Sequence, residues 1–128
     1  MNKEIIDNAS ALVGRVLIVT IFIVAGYNKI GGYEGTQGYM ESVGVPGFLL
    51  PAVIAVELLA GIAVLVGYQT KIAALLLGGF TFLSAVIFHS DFGQQMQMIL
   101  FMKNLAISGA FLLLFVHGPG QWAINSNN

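Results

Sequence analysis

The sequence predicts an all-α membrane protein: an antiparallel four-helix transmembrane bundle with both termini cytoplasmic and a short interfacial helix in the first outer loop. Three observations predict it. The first is composition. Of 128 residues, 57% are hydrophobic and only 9% charged, and mean hydropathy is +0.86. A typical soluble domain is about 45–50% apolar and about 25% charged. A small domain has little core per unit surface and needs a more polar coat, not a barer one. The second observation is four continuous apolar runs, each near the roughly 20 residues needed to cross hydrocarbon. The third is an uneven placement of the few basic residues.

The runs lie near Leu12–Ile30, Gly47–Gly67, Lys71–His89 and Met98–His117. They read as one four-span unit over residues 1–128. The runs are continuous rather than alternating, so a β-barrel does not fit. Glu4 and Asp7 offset Lys3, and Arg15 interrupts the first run, so it reads as a span rather than a cleaved leader. Gly31–Pro46 is a Gly/Tyr-rich outer loop, within which Thr36 is placed to cap a short surface helix through Tyr39, Met40 and Val43. Pro46 and Pro51 open the second span, where a missing N–H is tolerated. Gly67-Tyr68-Gln69-Thr70 is a tight turn, and Ser90–Gln97 joins the third span to the fourth. Gly118-Pro119-Gly120 ends the fourth. The polar tail Asn125–Asn128 is expected to fray.

With the N-terminus inside, Lys3, Arg15 and Lys71 fall on the cytoplasmic side and Lys29 and Lys103 at outer helix ends. Arg15, Lys71 and Trp122 then serve topology. For Arg15 a salt bridge toward the interior is the alternative. Tyr27, Tyr33, Tyr39 and Phe92 outside, and Tyr68 and Trp122 inside, fit interfacial belts. Small residues mark close helix approach: Ala60 and Gly61, Ala74 with Gly78, and Ala106 with Ala110.

An ionisable group inside a span costs a few kcal/mol and needs a partner or a wet cavity. Glu57 sits in Val53–Ala60, roughly 12–15 Å below the outer boundary at 1.5 Å per residue. It is either a structural carboxyl fixing helix register or a proton-carrying, ligand-binding carboxylate. Lys103 lies roughly 7–9 Å deep. Its stem reaches either the headgroups or Glu57. Asn104 and Ser108 share its face. Gly78, Thr81, Ala85 and His89 form a small, polar stripe toward the bundle. His89 closes that stripe as an interfacial residue or a proton carrier, and Lys29 ends the first span at the same level, snorkelling or turned inward. Lys29, His89, Lys103 and Asn104 with Glu57 beneath them thus outline a polar pocket opening outward, in which Glu57 and His89 are the candidate proton carriers.

No cysteine is present, which removes thiolate metal sites, dithiol relays and cysteine nucleophiles. Two histidines cannot make an ordinary structural zinc site. His89 and His117 lie nearly a membrane thickness apart and cannot share a haem iron. No metal, covalent cofactor or nucleic acid is expected, and the lipid bilayer is the first partner.

An ordered set of segments resembles the DoxX family of small four-span bacterial inner-membrane proteins. The segments are Gly14-Arg15, Ala25-Gly26-Tyr27-Asn28-Lys29-Ile30, Gly35-Thr36-Gln37-Gly38-Tyr39-Met40-Glu41 and Gly44-Val45-Pro46-Gly47-Phe48. Glu57 with Gly61, Gly67-Tyr68-Gln69-Thr70, His89 and Lys103-Asn104-Leu105 complete it. The family's terminal Gly-x-Gly followed by Ser-Leu/Ile-Asp is met only in part, since Ala123-Ile124-Asn125 stands in place of the latter. The resemblance implies a link to redox chemistry: the family name comes from the small subunit of a thiosulfate:quinone oxidoreductase, and other members are linked to a membrane complex serving thiol redox balance. Its fold is similar to that of other four-helix membrane oxidoreductases.

Three functions follow as expectations. One is an oxidoreductase-associated subunit with a quinone or small anion in the outer, periplasmic pocket and a redox-enzyme partner carrying any sulfur chemistry. Another is a small proton-coupled transporter, a homo-oligomer with Glu57 as coupling carboxylate. The third is a non-catalytic assembly subunit in which the polar residues only specify register.

Overall fold

A computed structural model describes residues 2–125 and contains four helices long and apolar enough to span a membrane. Helix α1 runs Lys3–Gly31 and α2, the short surface helix, Tyr33–Ser42. The second span, α3, runs Gly47–Val66. Helices α4 (Thr70–Phe88) and α5 (Gln95–His117) complete the bundle.

Helix α1 starts nine residues before the apolar run because local chemistry permits it. The Asn2 side chain accepts from the Ile5 N–H at 2.9 Å, and Glu4 sits in the positive first turn. Its 29 residues give about 43 Å of helix, more than the roughly 30 Å hydrocarbon core. Helix α2 also starts earlier than expected. Thr36 does not cap it; only Gly32 separates it from α1, and the Thr36 hydroxyl donates to the Gly32 carbonyl at 3.0 Å.

Helix α3 is composite. Pro46 precedes a 3-10 turn at Gly47–Leu49, and Pro51 stands in the first turn of the α-helix Leu50–Ala55. A π-helical turn covers Val56–Ala60, and α-geometry resumes at Gly61–Val66. The π turn meets α1 at Gly26, where an added Cβ would lie 2.8 Å from Leu58 Cγ. The absence of a side chain at Gly26 is what lets the two backbones approach.

The spans form two hairpins, α1 with α3 and α4 with α5. The hairpins meet in the half of the bundle that carries both chain ends, around Val19, Phe22, Val64, Leu77 and Phe111. Phe22 and Phe111 pack edge to face at 5.5 Å. Ala74 and Gly78 serve close approach as expected: both are buried, and a Cβ on Gly78 would come within 3.0 Å of Phe111. Ala106 and Ala110 do not. They face outward and are exposed, because α5 turns its Asn104–Ser108–Phe111 face to α4.

Arg15 is 2% exposed. The salt bridge given as its alternative role is not formed among the described residues; its partners are backbone carbonyls. One terminal nitrogen donates to Val64 and Leu65 carbonyls at 3.1 and 3.0 Å, and the other donates to the Trp122 carbonyl. It therefore shares the Val64 carbonyl with the Gly67 N–H, caps the Leu65 carbonyl at the end of α3 and ties down the segment after α5. That segment is ordered through Asn125: Ile124 and Asn125 donate backbone N–H bonds to Val66 and Gly67. The fraying expected of Asn125 is therefore not seen; residues 126–128 of the tail lie outside the described residues. Gly67 turns the chain at φ +77°, under the Ala123 backbone. Lys71 is half-buried beside it, and Trp122 is 46% exposed.

Candidate functional site

Toward the opposite end the hairpins part, leaving a cavity of about 500 Å³. All five residues expected to form the pocket line it: Lys29 from α1, Glu57 from α3, His89 at the end of α4, and Lys103 and Asn104 from α5. The walls between them are apolar, with Ile21, Phe22, Val53, Phe80, Leu83, Ile87 and Ile107 prominent.

Glu57 sits on the π turn, 4% exposed. Single π turns inside α-helices are frequent at functional sites. Its partner is Lys29, at 2.9 Å between Nζ and Oε1. Lys29 therefore turns inward rather than snorkelling outward. The alternative partner, Lys103, forms no ion pair among the described residues and remains exposed at the cavity wall. The pair is asymmetric: the glutamate side chain is 5% exposed and the lysine side chain 26%. The carboxylate is thus the deep member and the ammonium reaches it from the mouth.

Asn104 is 9% exposed. Its backbone carbonyl accepts from the Ser108 hydroxyl at 2.8 Å, so Ser108 is satisfied within its own helix. No hydrogen bond engages the Asn104 side-chain amide among the described residues, and the residue lines the cavity. Thr81, in the expected small stripe, is likewise satisfied by Leu77 O at 2.7 Å. His89 Nδ1 lies 2.9 Å from Gln97 Oε1. An amide oxygen only accepts, so in that contact Nδ1 is the donor.

Three features around the cavity have no clear signal in the sequence. Helix α2 supplies Thr36, Tyr39 and Met40, with Tyr39 stacked on Phe88 at 5.5 Å. Gln37 Nε2 donates to Gly47 O at 3.1 Å and anchors α2 to the start of α3. Amphipathicity marks α2 as a surface helix, but nothing in the sequence says which surface it covers. Gln97 as partner of His89 depends on how the α4–α5 loop returns, and Ser84 reaches the wall through the rotation of α4. No group of three or more His, Asp or Glu suited to a metal occurs among the described residues.

The fold and cavity define a small polytopic membrane protein built of two splayed helical hairpins. Comparison with known proteins makes the class specific. The DoxX family profile matches residues 10–90, and the chain belongs to that family. Inner membrane protein YqjF of Escherichia coli K12 is 50% identical over 120 residues, covering 94% of this chain and 92% of that one. Inner membrane protein YphA of the same strain is 41% identical, over 89% of this chain and 86% of that one. The Bacillus subtilis 168 protein named "Putative oxidoreductase CatD" is 36% identical over 68% of this chain and 63% of its own length. No solved structure matches. The chain is a multi-pass inner-membrane protein, with lipid as the solvent of its exposed apolar faces.

Proposed function

We propose that the protein is an oxidoreductase-associated subunit whose cavity receives the head of a quinone or a comparably small polar-headed ligand. The observation that carries this reading is the convergence of Lys29, Glu57, His89, Lys103 and Asn104 on one otherwise apolar cavity. A volume of about 500 Å³ is of the size small-molecule sites have, and a few polar groups in an apolar wall are what fix a ligand's orientation there. The residues fit a quinone head. Lys103 and the unengaged Asn104 amide are donors for ring oxygens, and Glu57 and His89 hold exchangeable protons. A quinone bound there supplies a two-electron, two-proton acceptor. Lacking cysteine, the chain leaves any sulfur chemistry, and the electrons, to a substrate or a partner subunit. The name of the CatD relative supports a redox setting. The basic-residue bias turns the cavity mouth to the periplasm.

The transporter reading has less support. A coupling carboxylate must be reached from both faces of the membrane, whereas Glu57 lines the cavity on one side and the buried core around Val19, Val64, Leu77 and Phe111 closes the other. The test is titration of the purified protein with a short-tailed ubiquinone analogue. Saturable binding that weakens at least about tenfold, or 1.4 kcal/mol, in Glu57→Gln is expected. Equal affinity in Glu57→Gln and in Lys103→Gln would refute the assignment, and proton-driven solute flux in liposomes would replace it with the transporter.

A further inference from the structure

Resting on that reading, the geometry points to a tail-binding furrow: the groove between α1 and α5 takes the long apolar chain of the ligand whose head enters the cavity. A second cavity, about 320 Å³, lies between the same two helices on the side of the chain ends. There Ala11, Gly14 and Ile18 face Ala110, Leu113 and Leu114. In the head cavity the same two helices contribute Ile21, Ala25 and Lys29 against Lys103 and Ile107. On each helix these positions recur every three to four residues, so they form one face. The two cavities are therefore successive stretches of one furrow. Between them α1 and α5 touch through Phe22 and Phe111. Both rings are buried, while Ile21 stays 45% exposed, so the contact raises the floor and leaves the lipid side open.

Three observations select a single flexible chain as occupant. The furrow is widened by small residues: Gly14 and Ala110 are exposed, and a Cβ on Gly14 would meet nothing within 4 Å. From Lys29 to Ala11 it spans about 27 Å at 1.5 Å per residue, close to the thickness of the hydrocarbon core. The second cavity also has Arg15 and His117 in its lining, but Arg15 is already bound to three carbonyls and His117 closes α5 at its far end. The cation without an ion-pair partner among the described residues, Lys103, lies in the head cavity, so the head of an amphiphile is placed there. In lipid a tail gains packing rather than hydrophobic burial by entering a groove. The observable is thus where the tail lies.

The test uses the full protein in lipid nanodiscs and two photoreactive benzoquinones. One carries a diazirine at the ring; the other carries it about 10 Å along the chain, the distance from Lys103 to Ala110 at 1.5 Å per residue. The head probe is expected to label residues of the outer cavity, and the tail probe residues around Gly14–Ile18 and Ala110–Leu114. Ala110→Trp, and separately Gly14→Leu, are expected to lower tail labelling there about tenfold, the lower end of what overpacking costs. Both positions are exposed, so both variants fold. Head labelling is expected to be unchanged. Tail labelling spread evenly over exposed apolar residues outside both cavities, such as Ile72 and Leu75, or unaffected by both variants, overturns the furrow while leaving the head site intact. Failure of the head probe to label the outer cavity overturns both.

Discussion

Lys29 and Glu57 form the deepest ion pair among the described residues, and their removal singly and together tests whether the pair holds α1 against the π turn. Breaking a buried pair by removing one partner costs about 3–5 kcal/mol, because a charge is left uncompensated. Here the lysine side chain is 26% exposed at the cavity mouth, so water screens the pair and the figure is discounted. Lys29→Met strands the deep carboxylate and is expected to cost about 2 kcal/mol. Glu57→Gln leaves a long stem that swings its ammonium to the mouth, and about 1 kcal/mol is expected. Lys29→Met with Glu57→Gln leaves no charge unpaired and is expected within about 1 kcal/mol of the parent, a coupling of about 2 kcal/mol. For a chain of this size 1 kcal/mol moves the melting midpoint by about 4 °C. Thermal unfolding in detergent followed by circular dichroism therefore reads drops of about 8 °C, 4 °C and under 4 °C. A double variant that loses the sum of the single losses would show that the two side chains do not interact.

Further variants probe the other contacts. Arg15→Met removes the donors to Val64, Leu65 and Trp122 and is expected to cost about 3 kcal/mol, net of the desolvation it relieves. Arg15→Lys keeps the charge, loses the planar fork, and should recover less than half in the same melting assay. Gly26→Leu drives a side chain into Leu58 at about 2–3 kcal/mol. By contrast, Ala106→Leu on an exposed face is expected to stay within about 0.5 kcal/mol. Gly67→Ala meets both a positive φ and the Ala123 side chain. It should release residues 118–125 to limited proteolysis at a stability cost of about 2 kcal/mol.

Much of this arrangement is written in the spacing of the sequence. Continuous apolar runs define four spans, because nothing but a helix satisfies its own backbone in lipid. The depth of Glu57 and its neighbours follows from 1.5 Å per residue, which is why spacing alone groups the five pocket residues. Pairing within the group is a different matter. Lys29 and Lys103 are both cations at about the same level, and only the close approach of α1 at Gly26 decides that Lys29 reaches Glu57. The role of Arg15 is hidden in the sequence because its partners are backbone carbonyls, which carry no side-chain signature. Ala106 and Ala110 share the spacing of Ala74 and Gly78 and differ only in which way their helix is rotated.

The clamp made by Arg15 also bears on the order in which the protein is built. Its guanidinium enters the bilayer with the first helix, yet the Trp122 carbonyl that accepts from its second terminal nitrogen lies 107 residues later. Val64 and Leu65 arrive in between, 49 and 50 residues on. During synthesis the first span thus carries an unsated cation through the insertion of the other three. The loop that finally sates it is also the one laid over the Gly67 turn. Quality control that senses an exposed intramembrane charge would accordingly read this bundle as unfinished until the segment beyond the fourth span has docked.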